Sequence, residues 1–276
     1  MLILAALGGF GLAAFYFRTA PDEWAGVRQS PLWHDLLTDS RPLTIVVGDY
    51  YLFGESDASM EIRRLIREFS INSKSDLDNF RAENPQRADQ YIDLGMQYLP
   101  TSTAFALQNL IPVITEPRLG QRRRINLVLM SKLTSELIKH SDLLYVGYLS
   151  GLGPLQSLVF KGSRFSIGDS FDELLDTKAG RRYVSQTESQ SLLPDNPSYK
   201  DFGLFAHFRG PSGNIVVVVS GTRDEGVRQT AELFTDPVKL KDLEKRAALP
   251  SYEALVEVSA MNGLNMNGRV IVDGSR

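Results

Sequence analysis

Three unbroken apolar runs stand out along the chain, at 43–47 (LTIVV), 143–149 (LLYVGYL) and 215–219 (IVVVV). Short runs of this kind, rich in β-branched side chains and bounded by turn residues, predict strands buried on both faces. Each run feeds a glycine-containing loop: Gly48-Asp49-Tyr50-Tyr51, Ser150-Gly151-Leu152-Gly153 and Ser220-Gly221-Thr222-Arg223. Between the runs the apolar spacing changes to that of helices. Met60, Ile62, Leu65, Ile66 and Phe69 predict a helix over 58–69, and Leu129, Leu133 and Leu137 predict one over 125–139. A further helix is expected over 103–111, and the polar stretch 77–99 reads as mostly helical and exposed.

Pro154 stands where a helix running through Phe160 would begin. Short strands are expected at 164–168 and 181–187, with a helix over 170–177 between them and a polar loop over 188–199. The segments 201–209 and 215–219 flank a Gly-Pro-Ser-Gly turn and predict a hairpin. Helices to Phe234 and over 237–247 follow, then strands at 253–260 and 269–272. No internal repeat is present. This alternation predicts an α/β fold, a mostly parallel sheet with helices on both faces and antiparallel edge strands.

Residues 1–17 carry no charged side chain and end at Arg18, and Phe15, Tyr16 and Phe17 suit a membrane interface. With no basic residue before it and no small-x-small cleavage site, the segment is expected to be an uncleaved single-pass anchor over 1–20 rather than a secretory signal. Arg18 and Arg28 tilt the expected orientation only slightly toward a cytoplasmic domain, so the membrane side stays open. Residues 21–41 then form a juxtamembrane linker with a short helix near Pro31, docked through Trp33 and Leu36. Residues 42–276 form the α/β domain, within which 70–124 would be a helical insertion or second lobe.

Composition removes several function classes. The 30 basic and 33 acidic residues nearly cancel, leaving no broad basic field to attract nucleic acid. The absence of cysteine excludes disulfides, iron–sulfur ligation, thiolate zinc and a cysteine nucleophile within this chain. His34, His140 and His207 have no metal-ligand spacing, so no metal site is expected. The glycine pair Gly151-x-Gly153 lacks the third glycine of a dinucleotide loop, and there is no phosphate loop ending in Gly-Lys-Ser/Thr, so no cofactor is expected.

In an open α/β sheet, the loops at the carboxyl ends of the strands gather on one edge, where helix amino termini favour anions. The candidate ligand-binding residues are therefore Gly48, Asp49, Tyr50, Ser150, Gly151, Gly153, Ser220, Gly221, Thr222 and Arg223. Glycine permits close approach of the backbone, Ser220 and Thr222 offer hydroxyls, and Arg223 offers a two-pronged partner for a carboxylate or phosphate. The alternative is that these are ordinary tight turns and caps, with Arg223 in a surface ion pair. The run Arg122-Arg123-Arg124 reads as a solvated loop or helix start, with contact to anionic lipid as its functional alternative.

The block 165–170 (FSIGDS) resembles the strand-Gly-Asp-Ser opening of SGNH-type serine esterases. In that family the block lies near the start of the domain and an Asp-x-x-His pair near its end. Here the block is central and no histidine follows His207, so Ser170 reads instead as a helix cap with Asp172 and Glu173 in the first turn.

The segment 199–237, with DFGL on one strand and IVVVVSGTRDEGVRQTAELFTDP after the turn, together with 33–48 upstream, resembles a group of uncharacterised bacterial α/β domains. In that group the domain often follows a membrane segment, sometimes with a winged-helix DNA-binding region before it; no such region precedes the anchor here. The resemblance implies the fold and the anchor and supplies no catalytic residue. The expected function is a membrane-anchored sensing or ligand-binding domain for a small, anionic molecule. A protein-interaction or assembly module at the membrane is the alternative, and a serine hydrolase using Ser170 or Ser220 is the second.

Overall fold

The computed structural model describes residues 22–115, 123–186, 198–247, 250–261 and 264–276. The anchor expected over 1–20, Arg122, and most of the loop expected over 188–199 lie outside these residues. No helix among the described residues is long and apolar enough to cross a membrane.

Thirteen strands form among them: β1 (Leu43–Val47), β2 (Tyr50–Ser56), β3 (Ile62–Ile66), β4 (Tyr91–Tyr98), β5 (Ile125–Leu129), β6 (Asp142–Tyr148), β7 (Phe165–Ile167), β8 (Glu173–Asp176), β9 (Arg181–Val184), β10 (Ser198–Arg209), β11 (Ile215–Gly221), β12 (Tyr252–Met261) and β13 (Leu264–Gly274). The helices are α1 (Ala25–Gln29), α2 (Pro31–Thr38), α3 (Lys74–Glu83), α4 (Thr101–Ile114), α5 (Ser135–His140), α6 (Gln156–Phe160), α7 (Asp224–Thr235) and α8 (Pro237–Glu244).

The main sheet has seven strands in the order β13-β12-β10-β11-β6-β1-β5. β11, β6, β1 and β5 run parallel, whereas β10, β12 and β13 add antiparallel ladders. The fold is α/β as expected, but the sheet is evenly mixed rather than mostly parallel. The tight 210–213 turn and the short β12–β13 connection leave no room for a crossover helix, so those strands can pair only antiparallel. Every residue of β1 and β11 is buried, which accounts for their unbroken apolar character.

Helices lie on both faces, unevenly. Leu43, Ile45 and Val47 of β1 share one core with Trp33 and Leu36 of α2, Leu110 of α4, Phe234 of α7 and Leu240 of α8. Trp33 is fully buried, and its Nε1 donates to the Phe234 carbonyl at 2.7 Å, so the segment before β1 is built into the domain core. On the opposite face Val46 and Tyr145 pack with Leu155, with Val159 of α6, and with Phe165, Leu174 and Tyr183 of the small sheet β7-β8-β9.

A second small sheet, β3-β2-β4, has its own core of Tyr51, Phe53, Ile71, Leu77 and Tyr91. It replaces two expected stretches of helix. Over 58–69 the apolar spacing mimics a helix, but Met60 takes a left-handed φ of 62° in a turn closed by hydrogen bonds between Asp57 and Glu61 and between Met60 and Asp57, after which β3 pairs with β2. Within 77–99, α3 ends at Glu83, a turn and the short 3-10 helix Ala88–Gln90 follow, and Tyr91–Tyr98 becomes β4.

The helix expected over 125–139 is also corrected. Residues 125–129 pair in parallel with β1 as an edge strand, a 3-10 turn covers Met130–Lys132, and the α-helix is confined to Ser135–His140, capped by Thr134. Likewise 170–177 is a turn followed by β8, with Ser170 Oγ accepting from the Asp172 amide at 3.3 Å. Arg123, expected in a solvated loop, is half-buried: it donates to the carbonyls of Leu36 and Arg41 and pairs with the fully buried Asp142.

Candidate functional site

The carboxyl ends of β1, β6 and β11 meet as the sequence predicts, and glycines make the meeting possible. A Cβ on Gly48 would lie 2.5 Å from the Tyr145 hydroxyl oxygen and one on Gly151 would lie 2.9 Å from it. That hydroxyl is completely buried and donates to the Tyr148 carbonyl at 2.6 Å. The first two loops are then joined by the Tyr50 hydroxyl, 2.6 Å from Ser150 Oγ, and burial pushes the Tyr50 phenol up to about 12.

The third loop is fixed from below. Asp201 of β10 is fully buried and accepts from Thr222 Oγ1 at 2.6 Å, Ser185 Oγ at 3.1 Å and the Gly226 amide at 2.6 Å. Since the N-cap residue Arg223 offers no side-chain cap, this carboxylate from a neighbouring strand closes the first turn of α7. Burial raises its pKa, and these three donors together with the Phe202 amide act the other way.

Above these loops lies a cleft of about 510 Å³, bounded by the main sheet and both small sheets. Of the ten predicted residues, Tyr50, Ser150, Thr222 and Arg223 line it. The others support it or lie apart. Gly48 and Gly151 pack around the Tyr145 hydroxyl, and Gly221 lies against the backbone of α7. Gly153 adopts a φ of 47° beside Met130. Asp49 Oδ1 accepts from the Ser131 amide at 2.9 Å, and Ser220 Oγ is buried without a partner among the described residues.

Arg67, Phe69, Tyr98, Tyr148, Phe171, Asp172, Asp224 and Glu225 also line the cleft and were not among the predicted ligand-binding residues. Asp224 and Glu225 directly follow the predicted loop, and Tyr148 ends the strand run at 143–149, so proximity was the signal for these. Arg67 and Phe69 fall in the stretch expected to be helical, and Phe171 in another, so no signal placed them at the sheet edge.

The charged groups differ in how far they are already engaged. Asp172 pairs with Arg223 Nη2 at 2.5 Å. Asp224 accepts from the Ser102 amide at 3.3 Å and helps hold the Tyr148 phenol well above its ordinary value, a shift led by burial. Glu225 lies 3.4 Å from Arg228, and burial raises its pKa.

The two arginines keep donors in reserve. Arg67 stacks on Tyr50 at 4.4 Å and on Phe69 at 4.6 Å, and burial lowers its pKa. Its Nε and that of Arg223 are both buried with no hydrogen-bond partner among the described residues. An unpaired buried N–H is costly, and a ligand oxygen would satisfy it.

Among the described residues no cluster of three metal-ligating groups occurs, and no histidine lines the cleft. Ser170 lies outside the lining. Compared with known proteins, the chain matches no family model, no curated protein and no solved structure.

Proposed function

We propose that the protein is a membrane-anchored binding or sensing domain for a small anionic molecule, held in the cleft at the carboxyl edge of β1, β6 and β11. The observation that carries this reading is that two arginines lining the same cleft, Arg67 and Arg223, each keep a buried Nε–H with no partner among the described residues. Carboxylates in the lining oppose an anion less than their number suggests. Asp172 is paired with Arg223, Glu225 lies 3.4 Å from Arg228, and the Asp201 carboxyl is already engaged by Thr222, Ser185 and the Gly226 amide. Tyr50, Ser150 and Tyr148 supply further hydroxyls and ring faces, the mixture of apolar walls and a few polar groups that small-molecule sites use. The uncharged stretch at the start of the chain provides the anchor, in keeping with the resemblance to anchored bacterial domains.

A thermal-stability screen against small carboxylates and phosphates tests the reading. A ligand present at ten times its Kd stabilises the native state by about 1.4 kcal/mol. For a domain of this size that raises Tm by roughly 3–6 °C. The shift is expected in the unaltered protein and is lost in Arg67→Gln and in Arg223→Gln; a shift that survives both substitutions places the anion elsewhere.

A second reading, an interaction module, is favoured by one observation. The small sheet β3-β2-β4 leaves Ile62, Leu65 and Met96 exposed at 41%, 51% and 42%. Apolar side chains left in water on one lobe suit a protein contact. Leu65→Glu would abolish concentration-dependent association in light scattering if that contact is between copies of the chain.

A further inference from the structure

The charges that line the cleft do not balance. Two arginines, Arg67 and Arg223, face four carboxylates, Asp172, Asp201, Asp224 and Glu225. Three of the carboxylates are matched within the protein. Asp172 is paired with Arg223 at 2.5 Å, Glu225 lies 3.4 Å from Arg228, and Asp201 accepts from Thr222, Ser185 and the Gly226 amide. Asp224 has neutral partners only. Its Oδ1 accepts from the Ser102 amide at 3.3 Å, its carboxylate also accepts from the Tyr148 hydroxyl, and no basic side chain among the described residues forms an ion pair with it.

Groups of opposite demand therefore stand side by side. Arg223 and Asp224 are consecutive residues, and both line the cleft. Consecutive Cα atoms are about 3.8 Å apart. Arg223 keeps a buried Nε–H for an anion, and Asp224 keeps a carboxylate for an ammonium. The Tyr148 ring, whose hydroxyl reaches Asp224, lies 6.1 Å from the Tyr50 ring between centroids, so aromatic faces that attract a cation adjoin the same carboxylate. A bare anion on the arginines faces the unmatched charge of Asp224. A ligand that brings its own cation turns that repulsion into attraction.

We infer that the ligand is a small zwitterion, its carboxylate or phosphate held by Arg67 and Arg223 and its ammonium by Asp224. This rests on the anion-binding reading of the cleft and adds the second charge. Free amino acids and amine phosphates such as phosphoethanolamine share this chemistry. Both place an ammonium within a few bonds of the anionic group, as the adjacency of Arg223 and Asp224 asks.

Calorimetric titration of the full chain with L-phenylalanine, L-phenyllactate and phenylethylamine tests the inference. The second has a hydroxyl in place of the ammonium, and the third lacks the carboxylate. L-phenylalanine is expected to bind about tenfold more tightly than L-phenyllactate, the gain from one charge-assisted hydrogen bond. Asp224→Asn keeps the size of the side chain and an oxygen for Ser102 and Tyr148; it should remove that preference and leave L-phenyllactate bound at least as tightly. The comparison of ligands on the unaltered protein decides the matter even where the variant folds poorly. Equal affinities there, lost together in Arg223→Gln, overturn the ammonium site and leave the anion site standing. A preference that survives Asp224→Asn overturns the ammonium site as well. Phenylethylamine bound as tightly as L-phenylalanine, and still bound in Arg67→Gln and Arg223→Gln, overturns the inference together with the reading beneath it. Phosphoethanolamine against ethyl phosphate repeats the comparison for the second source. If neither zwitterion binds, the inference falls, and the stability screen decides the anion reading by itself.

Discussion

The Gly226 amide lies 2.6 Å from Oδ2 of Asp201, so a buried carboxylate on β10 closes the first turn of a helix that begins after the next strand. The same carboxylate holds Thr222 and Ser185, and so positions the loop that carries Arg223. Asp201→Ala removes the acceptor and leaves those donors unpaired in a dry site. It is expected to lower the free energy of unfolding by about 1–3 kcal/mol, read from urea melts. An unchanged urea midpoint would show that water replaces the carboxylate without loss.

Gly226 is bound by a second constraint. A Cβ there would stand 2.2 Å from the Phe202 carbonyl oxygen, closer than any side chain tolerates. Gly226→Ala should therefore destabilise by about 2–3 kcal/mol as α7 is forced off the sheet. Gly26→Ala is the control. It lies in α1 with nothing within 4 Å of the added carbon, and alanine there should be neutral or stabilising by up to about 1 kcal/mol. Equal effects from the two substitutions would contradict the close helix–sheet contact.

His207 predicts a pH dependence. It is 1% exposed, and neither ring nitrogen has a hydrogen-bond partner among the described residues. Burial lowers its pKa from the ordinary 6.5, with Asp35 opposing and Arg209 adding to the shift. Below pH 6.5 the unfolded chain binds a proton that the folded chain refuses, so stability falls as the pH drops through that value. At pH 5.5 the loss relative to pH 7.5 is at most about 1.4 kcal/mol. His207→Leu should remove that component of the slope from urea midpoints measured at the two pH values. An identical slope in the variant would assign the dependence to other groups.

Much of the main sheet was legible because β1, β6 and β11 are buried on both faces, and such strands can only be written as continuous apolar runs. Their loops were legible for the same reason, and the sheet-edge rule brought Tyr50, Ser150, Thr222 and Arg223 to one place. The small sheets were not. β3 exposes four of its five residues and β5 lies at an edge with Leu127 58% exposed, so neither carries the period-two alternation of a half-buried strand. Ile62, Leu65 and Ile66 then match a helical spacing by chance, and the error hid Arg67 and Phe69 in a supposed helix. Ser170, Asp172 and Glu173 misled in the same way, because residues that open a helix also open a turn.

The uncharged segment at the start of the chain predicts behaviour in cells. The full chain should remain in the membrane pellet after alkaline carbonate washing and dissolve only in detergent. Release by carbonate would rule out a spanning anchor. Replacing Leu7 and Leu12 by arginine should release it, since each charge at the centre of a span costs about 2.5–3.5 kcal/mol on insertion scales.

The Nε–H groups of Arg67 and Arg223 can be observed directly by nitrogen–proton correlation NMR, with their signals assigned from Arg67→Lys and Arg223→Lys. On titration with phenyl phosphate, both signals are expected to move together and saturate, as each donor gains an oxygen acceptor. If both stay fixed while the ligand binds, or if no ligand that raises Tm disturbs them, the cleft between β1, β6 and β11 is not the anion site.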